Sequence, residues 1–368
     1  MAKKITYVFS KNRKNLLRSD TAFAKEFFYG FTEFDKKYFD LEIVEFKEKN
    51  KFFNFFEKFD HILSKYLSLP IYFSKLINFN NLKIFLKSDE IYFINEGVGF
   101  SSLPLIFILN IFKKNKKKLF VMGMYSKQIK YKKLYFLHKM FINILVSQVD
   151  HILFLGKGEY HKAQKFHKHK YHEKLIFTPF LIDFEFWKSD NYEMANKNEL
   201  LFVGNDGNRD YELLLKLAKE LKDIKFKFVT SNQKVLDCNL ENVEVIKGDW
   251  SQNNLSDQQL KKIYQSCKMS IIPLKETTQP SGQSVALQSM AVGLPVLISK
   301  TEGFWDIQKF DDEKNIFFVD DNDLNSWIKK INDVFYDNKR LKNVAKNALN
   351  LIKEEYSLEK NFSFIKNI

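Results

Sequence analysis

A chain of 368 residues is long enough for two domains of ordinary size, and 45% hydrophobic against 28% charged residues excludes global disorder. Its two cysteines, Cys238 and Cys267, exclude a disulfide-stapled secreted scaffold and paired zinc-finger sites, and suit a reducing compartment. The formal charge of +14 is carried by one half: residues 1–190 hold 34 Lys+Arg against 19 Asp+Glu, the remainder 25 against 26.

Short apolar runs alternate with longer amphipathic ones from the start. The first ten residues turn charged again without an apolar signal core. Ile5 to Phe9, Leu41 to Phe46, Glu90 to Ile94, Lys118 to Met122 and His151 to Leu155 read as strands, with helical spacing over Thr21 to Phe31 and Lys133 to Val146. The greasy stretch from Ile91 to Phe112 is broken by Asn95, Glu96, Pro104 and Asn110. Its uncharged part is shorter than a spanning helix needs, so a buried strand and a core helix are expected in a soluble or peripheral protein. Thr178 to Asp190, with a proline and turn-prone acids, reads as a linker.

The rhythm then restarts. Strands are expected at Leu200 to Val203, Lys225 to Thr230, Val243 to Ile246, Met269 to Ile272, Val296 to Ser299 and Asn315 to Val319. Helices are expected over Arg209 to Leu221, Asp257 to Cys267, Gly282 to Ala291, Leu324 to Tyr336 and Lys339 to Glu355. This β-then-α order predicts an α/β fold of two Rossmann-like domains facing across a cleft, closed by a C-terminal helix. The boundaries read as 1–180, a linker over 181–195, 196–340, and a helical tail over 341–368.

Between Lys113 and Lys133 nine lysines occur without one carboxylate. Lys113, Lys114, Lys116, Lys117 and Lys118 are the candidates for contact with an anionic membrane surface; a solvated lysine-rich face is the plain alternative. No nucleic-acid signature accompanies them, and arginine is scarce.

Two motifs carry chemistry. In LLFVGNDGNRDYELLL a strand ends at Val203, a loop with Gly204, Asn205 and Gly207 follows, and Arg209 stands in the first turn of a helix, where it can fork onto a phosphate. In QPSGQSVALQSMAVGLPVLIS, Pro280 and Ser281 start a helix whose first turn offers the N–H groups of Gly282, Gln283 and Ser284. Gly293 and Pro295 end that helix before a buried strand. An ordinary strand–turn–helix and a tightly packed helix–strand unit are the plain readings. The opening is more polar than packing requires.

The second segment resembles the donor-binding element of GT-B glycosyltransferases of the group-one, family-four-like type, in which a similar run precedes a GxPVI strand. VGNDGNRDY, LKKIYQSCKMSIIPL, TEGFWD with NIFFVDDND, and TPFLIDFEFW resemble further elements of that family in the same order. The resemblance is specific over roughly residues 178–340 and architectural before that. It implies transfer of a sugar from a nucleotide diphosphate sugar to a glycan or lipid-linked acceptor, with anomeric retention and no metal or other cofactor. Arg209 and the amides of Gly282, Gln283 and Ser284 would then stabilise the leaving group. Gln288 stands where the family often has a ribose-binding Glu, and the partner acid of the family's pair is missing near Gln279.

Other candidates are weaker. Glu96, flanked by Gly97 and Gly99, reads as a surface turn or a cleft-facing acid able to act as catalytic base; Asn12 and Arg13 follow the first strand. Asp321-Asn322-Asp323 reads as turn and N-cap rather than a metal site, and His161, His167, His169 and His172 read as a polar helix face. An epimerase or phosphorylase on the same fold, or a non-catalytic glycan- or lipid-binding relative, is the alternative. The expected location is cytoplasmic, with the possibility of attachment to the inner face of the membrane.

Overall fold

Runs of apolar residues that lie between helices on both sides of a sheet have no need to alternate, and strands such as Glu90–Phe93, Met269–Ile272 and Val296–Ser299 follow that rule. The computed structural model describes residues 2–19, 21–47, 54–112, 115–126, 129–189, 197–248 and 255–368. It divides into two units, one from residues 1–20 and 28–178, the other from Thr21–Phe27 and Pro179–Asn367.

The first unit holds β1 Lys3–Phe9, β2 Phe39–Glu45, β3 Glu90–Phe93, β4 Lys116–Val121, β5 His151–Phe154 and β6 Leu175–Phe177, in the order β2-β1-β3-β4-β5-β6 and all parallel. Its helices are α1 Arg13–Leu17, α2 Asn54–Leu67, α3 Phe73–Leu76, α4 Phe79–Lys87, α5 Glu96–Phe112, α6 Tyr135–Gln148 and α7 Lys157–Phe166. Helix α5 is apolar all round and lies against the sheet. A Cβ on Gly99 would come within 2.8 Å of Leu119 Cδ1, so a larger residue there would make that side chain shift.

The second unit repeats the plan with β7 Glu199–Val203, β8 Lys225–Thr230, β9 Val243–Lys247, β10 Met269–Ile272, β11 Val296–Ser299 and β12 Phe317–Val319, in the parallel order β12-β11-β10-β7-β8-β9. Around them lie α8 Phe184–Trp187, α9 Tyr211–Glu220, α10 Gln233–Leu236, α11 Asp257–Ser266, α12 Gln283–Val292, α13 Leu324–Val334, α14 Asn338–Leu351 and α15 Leu358–Asn367. Phe202, Phe226, Phe228, Ile271 and Trp327 sit at the centre of its core. The helical tail is two helices, α14 and α15, separated by a π turn, and it belongs to this unit.

Three expectations are corrected. Thr21 to Phe31 is not a helix: it carries only 3₁₀ turns over Glu26–Phe28 and Phe31–Glu33, and Tyr29 and Gly30 take left-handed φ of 52° and 85° between them. Lys117 and Lys118 are not a membrane contact, because both are buried in β4. Lys118 Nζ lies 3.1 Å from Glu90 Oε2, 2.7 Å from Tyr92 Oη and 4.7 Å from the centre of the Tyr92 ring. Burial pulls the Lys118 ammonium pKa down, against the attraction of Glu90. Lys116 is exposed, and Lys113 and Lys114 lie outside the described residues. Finally, Glu96 is no surface turn. It opens α5 with its side chain buried, because Asn95 Oδ1 accepts from Val98 N at 2.9 Å and caps the helix. Among the described residues no helix is long and apolar enough to cross a membrane.

Candidate functional site

The two motifs singled out in the sequence meet in the second unit. At the end of β7 the ladder continues through Gly204, whose N–H donates to Val229 O at 3.1 Å. The loop then doubles back so closely that a Cβ on Gly204 would sit 2.3 Å from Arg209 Nε. Arg209 pairs with Leu274 in an isolated antiparallel bridge, Asp210 N donates to Pro273 O at 3.0 Å, and Lys275 N donates to Asn208 O at 2.8 Å. The loop after β7 is thus stitched to the loop after β10. Asp210 then caps α9 by accepting from Leu213 N at 3.0 Å.

Helix α12 begins beside this stitch. Gly282 occupies its N-cap at φ +79°, a conformation that favours glycine, and no side chain caps the first turn. Asn208 Nδ2 reaches Ser281 Oγ at 2.8 Å and Gln279 Oε1 at 3.1 Å. A Cβ on Gly282 would be 2.8 Å from Arg209 Nη1. The guanidinium therefore lies between the two glycines, with only 3% of the residue exposed. Asp206 Oδ2 is 3.3 Å from its Nε, yet neither Nε nor Nη1 makes a hydrogen bond. A buried guanidinium with unused N–H groups is costly unless an anion completes it. Gln283 is buried and Ser284 half-buried in the turn alongside.

Asn205 has a different task. Its Nδ2 donates to Gly248 O at 2.7 Å and its Oδ1 accepts from Thr230 Oγ1 at 3.1 Å and Ser231 N at 2.6 Å, so it ties down the loop that follows β8.

Gln288 is fully engaged. Its Oε1 accepts from Tyr264 Oη at 3.1 Å, and its Nε2 donates to Glu26 Oε1 at 2.8 Å. Glu26 was not singled out in the sequence. It sits on the Thr21–Phe27 segment, which is held to the second unit by Ala24 N on Asp257 Oδ2 at 2.9 Å and Lys25 N on Asp183 Oδ2 at 3.1 Å. Trp187 Nε1 also donates to Glu26 Oε1, at 2.9 Å, while Oε2 is buried without a hydrogen bond. Burial, opposed by the Gln288 hydrogen bond, pushes this carboxyl up to about 7. The chain carries a carboxyl against α12 after all, supplied by a distant stretch of sequence. Burial likewise raises the Tyr264 phenol, with the nearby Arg209 charge acting in the opposite direction.

The remaining candidates are dispersed. Glu96, in the first unit, accepts from Met122 N at 3.3 Å. Another buried carboxylate, Glu159 on α7, holds the turn after β4 through Gly123 N at 2.8 Å and Tyr125 N at 2.9 Å. Asn12 takes φ 62° at the start of α1, and Arg13 N and Lys14 N donate to Glu45. Asp323 caps α13 by accepting from Asn325 N at 2.8 Å and Ser326 N at 3.0 Å. His167 is buried, with Nδ1 3.0 Å from Asn143 Oδ1, and burial together with His172 and Lys139 brings it down to about 4. Among the described residues no three His, Cys, Asp or Glu side chains gather as a metal site.

Residues 183–351 match the family described as Glycosyl transferases group 1. No curated protein sequence matches the chain. Among solved structures, it resembles HepE from Anabaena, determined with UDP and glucose, at 10% identity over 99% of both chains and a TM-score of 0.67. It also resembles TarM, at 13% identity over 100% of this chain and 98% of that one, with a TM-score of 0.68. Sucrose-phosphate synthase from Thermosynechococcus elongatus is similar at 12% identity over 99% and 98% of the two chains, with a TM-score of 0.66. At such identities the structural likeness establishes the fold, and the family match covers the half that holds Arg209 and α12. Residues 183–351 thus carry a group 1 glycosyltransferase domain, and the chain has the GT-B fold.

Proposed function

We propose that this glycosyltransferase takes its sugar from a nucleoside diphosphate sugar, with the diphosphate bound by Arg209 and the uncapped start of α12. The observation that carries the reading is the Arg209 guanidinium, buried between Gly204 and Gly282 with two nitrogens lacking hydrogen-bond partners. As the bond from the anomeric carbon to the diphosphate oxygen breaks, negative charge grows on that oxygen. A fixed guanidinium and helix-terminal amides are already oriented towards such charge, which is what transition-state stabilisation requires. Uridine diphosphate is the first donor nucleotide to test, since the HepE structure holds it.

The acceptor in this reading is a glycan or a lipid-linked glycan in surface polysaccharide or glycoconjugate synthesis. Transfer proceeds with retention of the anomeric configuration and without a metal, on the cytoplasmic side, with the protein resting on the inner face of the membrane. Calorimetric titration with UDP, GDP, ADP and CDP tests the donor site. One of them should bind, and Arg209→Ala should weaken it by about 1–3 kcal/mol, the value of a hydrogen bond to a charged group. Absence of binding by all four would refute the site. Proton NMR of the product's anomeric signal tests retention, and activity that survives EDTA supports the metal-free mechanism.

A further inference from the structure

Helix α12 carries no charged side chain of its own between Gln283 and Val292. The carboxyl set against it comes from Glu26, on the Thr21–Phe27 segment of the second unit. Glu26 is 1% exposed, and its Oε1 accepts from both the Gln288 amide and the Trp187 indole, at 2.8 and 2.9 Å. Gln288 extends the contact to Tyr264, whose hydroxyl donates to its Oε1 at 3.1 Å. Helices α8, α11 and α12 are thus joined at one carboxyl. Gln288 follows Gln283 by five residues, which places it about 7.5 Å along the helix axis from the first-turn amides. Tyr264 lies close enough to both Arg209 and Glu26 for their charges to act on its phenol, in opposite directions.

The groups around Glu26 disfavour a negative charge there. Asp257, at the start of α11, accepts from Ala24 N, and Asp183, at the N-cap of α8, accepts from Lys25 N. The cations of these elements are turned to other partners or to water. Lys261 on α11 donates to Phe186 O at 2.5 Å, Lys188 pairs with Glu185 at 2.6 Å, and Lys25 and Lys262 are exposed. Glu26 Oε2 is buried without a hydrogen bond. Burial pushes the carboxyl up to about 7, with the Gln288 hydrogen bond pulling it down and the Asp257 charge adding to the rise.

We propose that Glu26 is a positioning residue for donor binding: as a neutral acid it fixes Gln288 and the buried side of α12, and as a carboxylate it repels a diphosphate held at the start of that helix. The inference rests on the donor site proposed above. Its consequence is a linkage between proton and nucleotide, each tightening the hold on the other. Donor affinity is then full where Glu26 is neutral and falls as pH rises through 7. One carboxylate and one phosphate charge about 10 Å apart, in a partly screened interior, correspond to a weakening of roughly tenfold.

Calorimetric titration with UDP, GDP, ADP and CDP at pH 6 and pH 8.5, on the wild type, Glu26→Gln and Glu26→Ala, tests the linkage. At pH 6 the wild type and Glu26→Gln should bind alike, since Gln keeps an acceptor for Trp187 and Gln288. At pH 8.5 Glu26→Gln should bind roughly tenfold more tightly than the wild type. Asp183 and the nucleotide's own phosphates titrate in both proteins and cancel in that ratio. Glu26→Ala, which removes the shared acceptor, should bind more weakly than Glu26→Gln at both pH values. The same pH dependence in the wild type and Glu26→Gln would overturn the inference and leave the donor site standing. Equal affinities in Glu26→Ala and Glu26→Gln would overturn the positioning role. Failure of all four nucleotides to bind the wild type at pH 6 would refute the donor site and the inference with it.

Discussion

Replacing Glu26 by Gln should make the protein less sensitive to alkaline pH. In the wild type the carboxyl is fully buried and its pKa is raised from 4.5 to about 7. The folded protein then holds the proton more tightly than the unfolded chain does. That contribution to stability is complete below about pH 4.5 and is lost as pH rises through 7. The difference corresponds to about 3 kcal/mol. Gln retains an oxygen able to accept from Trp187 Nε1 and Gln288 Nε2 and introduces no charge. Denaturant unfolding of both proteins should therefore coincide within about 1 kcal/mol near pH 4.5. Near pH 8.5 the variant should be the more stable by up to about 3 kcal/mol, or roughly 6–12 °C in Tm for a unit of this size. Asp183, which burial raises to about 6, titrates in both proteins and cancels in the comparison. Two stability curves that stay parallel across this range would refute the buried, neutral Glu26.

Arg209→Met should leave the unliganded protein as stable as the wild type, or about 1 kcal/mol more so, since it removes a buried and under-satisfied charge. The thermal shift produced by UDP should vanish in the same variant; a shift of unchanged size would exclude Arg209 from the site. Gly282→Ala puts a side chain at φ +79° and 2.8 Å from both Arg209 Nη1 and Ile272 Cγ2. Chemical denaturation should reveal a loss of about 1–3 kcal/mol, accompanied by weaker nucleotide binding in calorimetry. Lys118→Met should lower stability by about 3 kcal/mol, because Glu90 keeps only Lys3 as its cation, while vesicle binding stays at the wild-type level.

The sheets were legible because a strand covered on both faces must be apolar without alternation, as in LLFV and MSII, and glycine or proline punctuates its ends. Arg209 and the α12 opening were legible for a related reason, since the Arg209 side chain stands where a Cβ at 204 or 282 would be, and the φ of +79° at 282 favours glycine. Lys118 misled because its partner, Glu90, lies on the neighbouring strand, and a one-dimensional lysine run hides a cross-strand pair. Glu26 was beyond reach: its hydrogen-bond partners Trp187 and Gln288 lie 161 and 262 residues further on. Gln288 offered half the clue, an amide where a carboxylate is common, but no local pattern says which distant acid will meet it. The short β6 escaped because three apolar residues fall below any periodic signal.

The second unit is not a continuous piece of chain, and that limits how the gene can be cut. A fragment beginning at Pro179 would lack seven residues of its own unit, among them the buried Ala24 and Glu26. The indole of Trp187 and the amide of Gln288 would lose their shared acceptor, and Asp183 and Asp257 would each lose a backbone donor. Such a half should express as a loosened domain, and adding back a synthetic peptide of residues 21–27 is the direct way to tighten it.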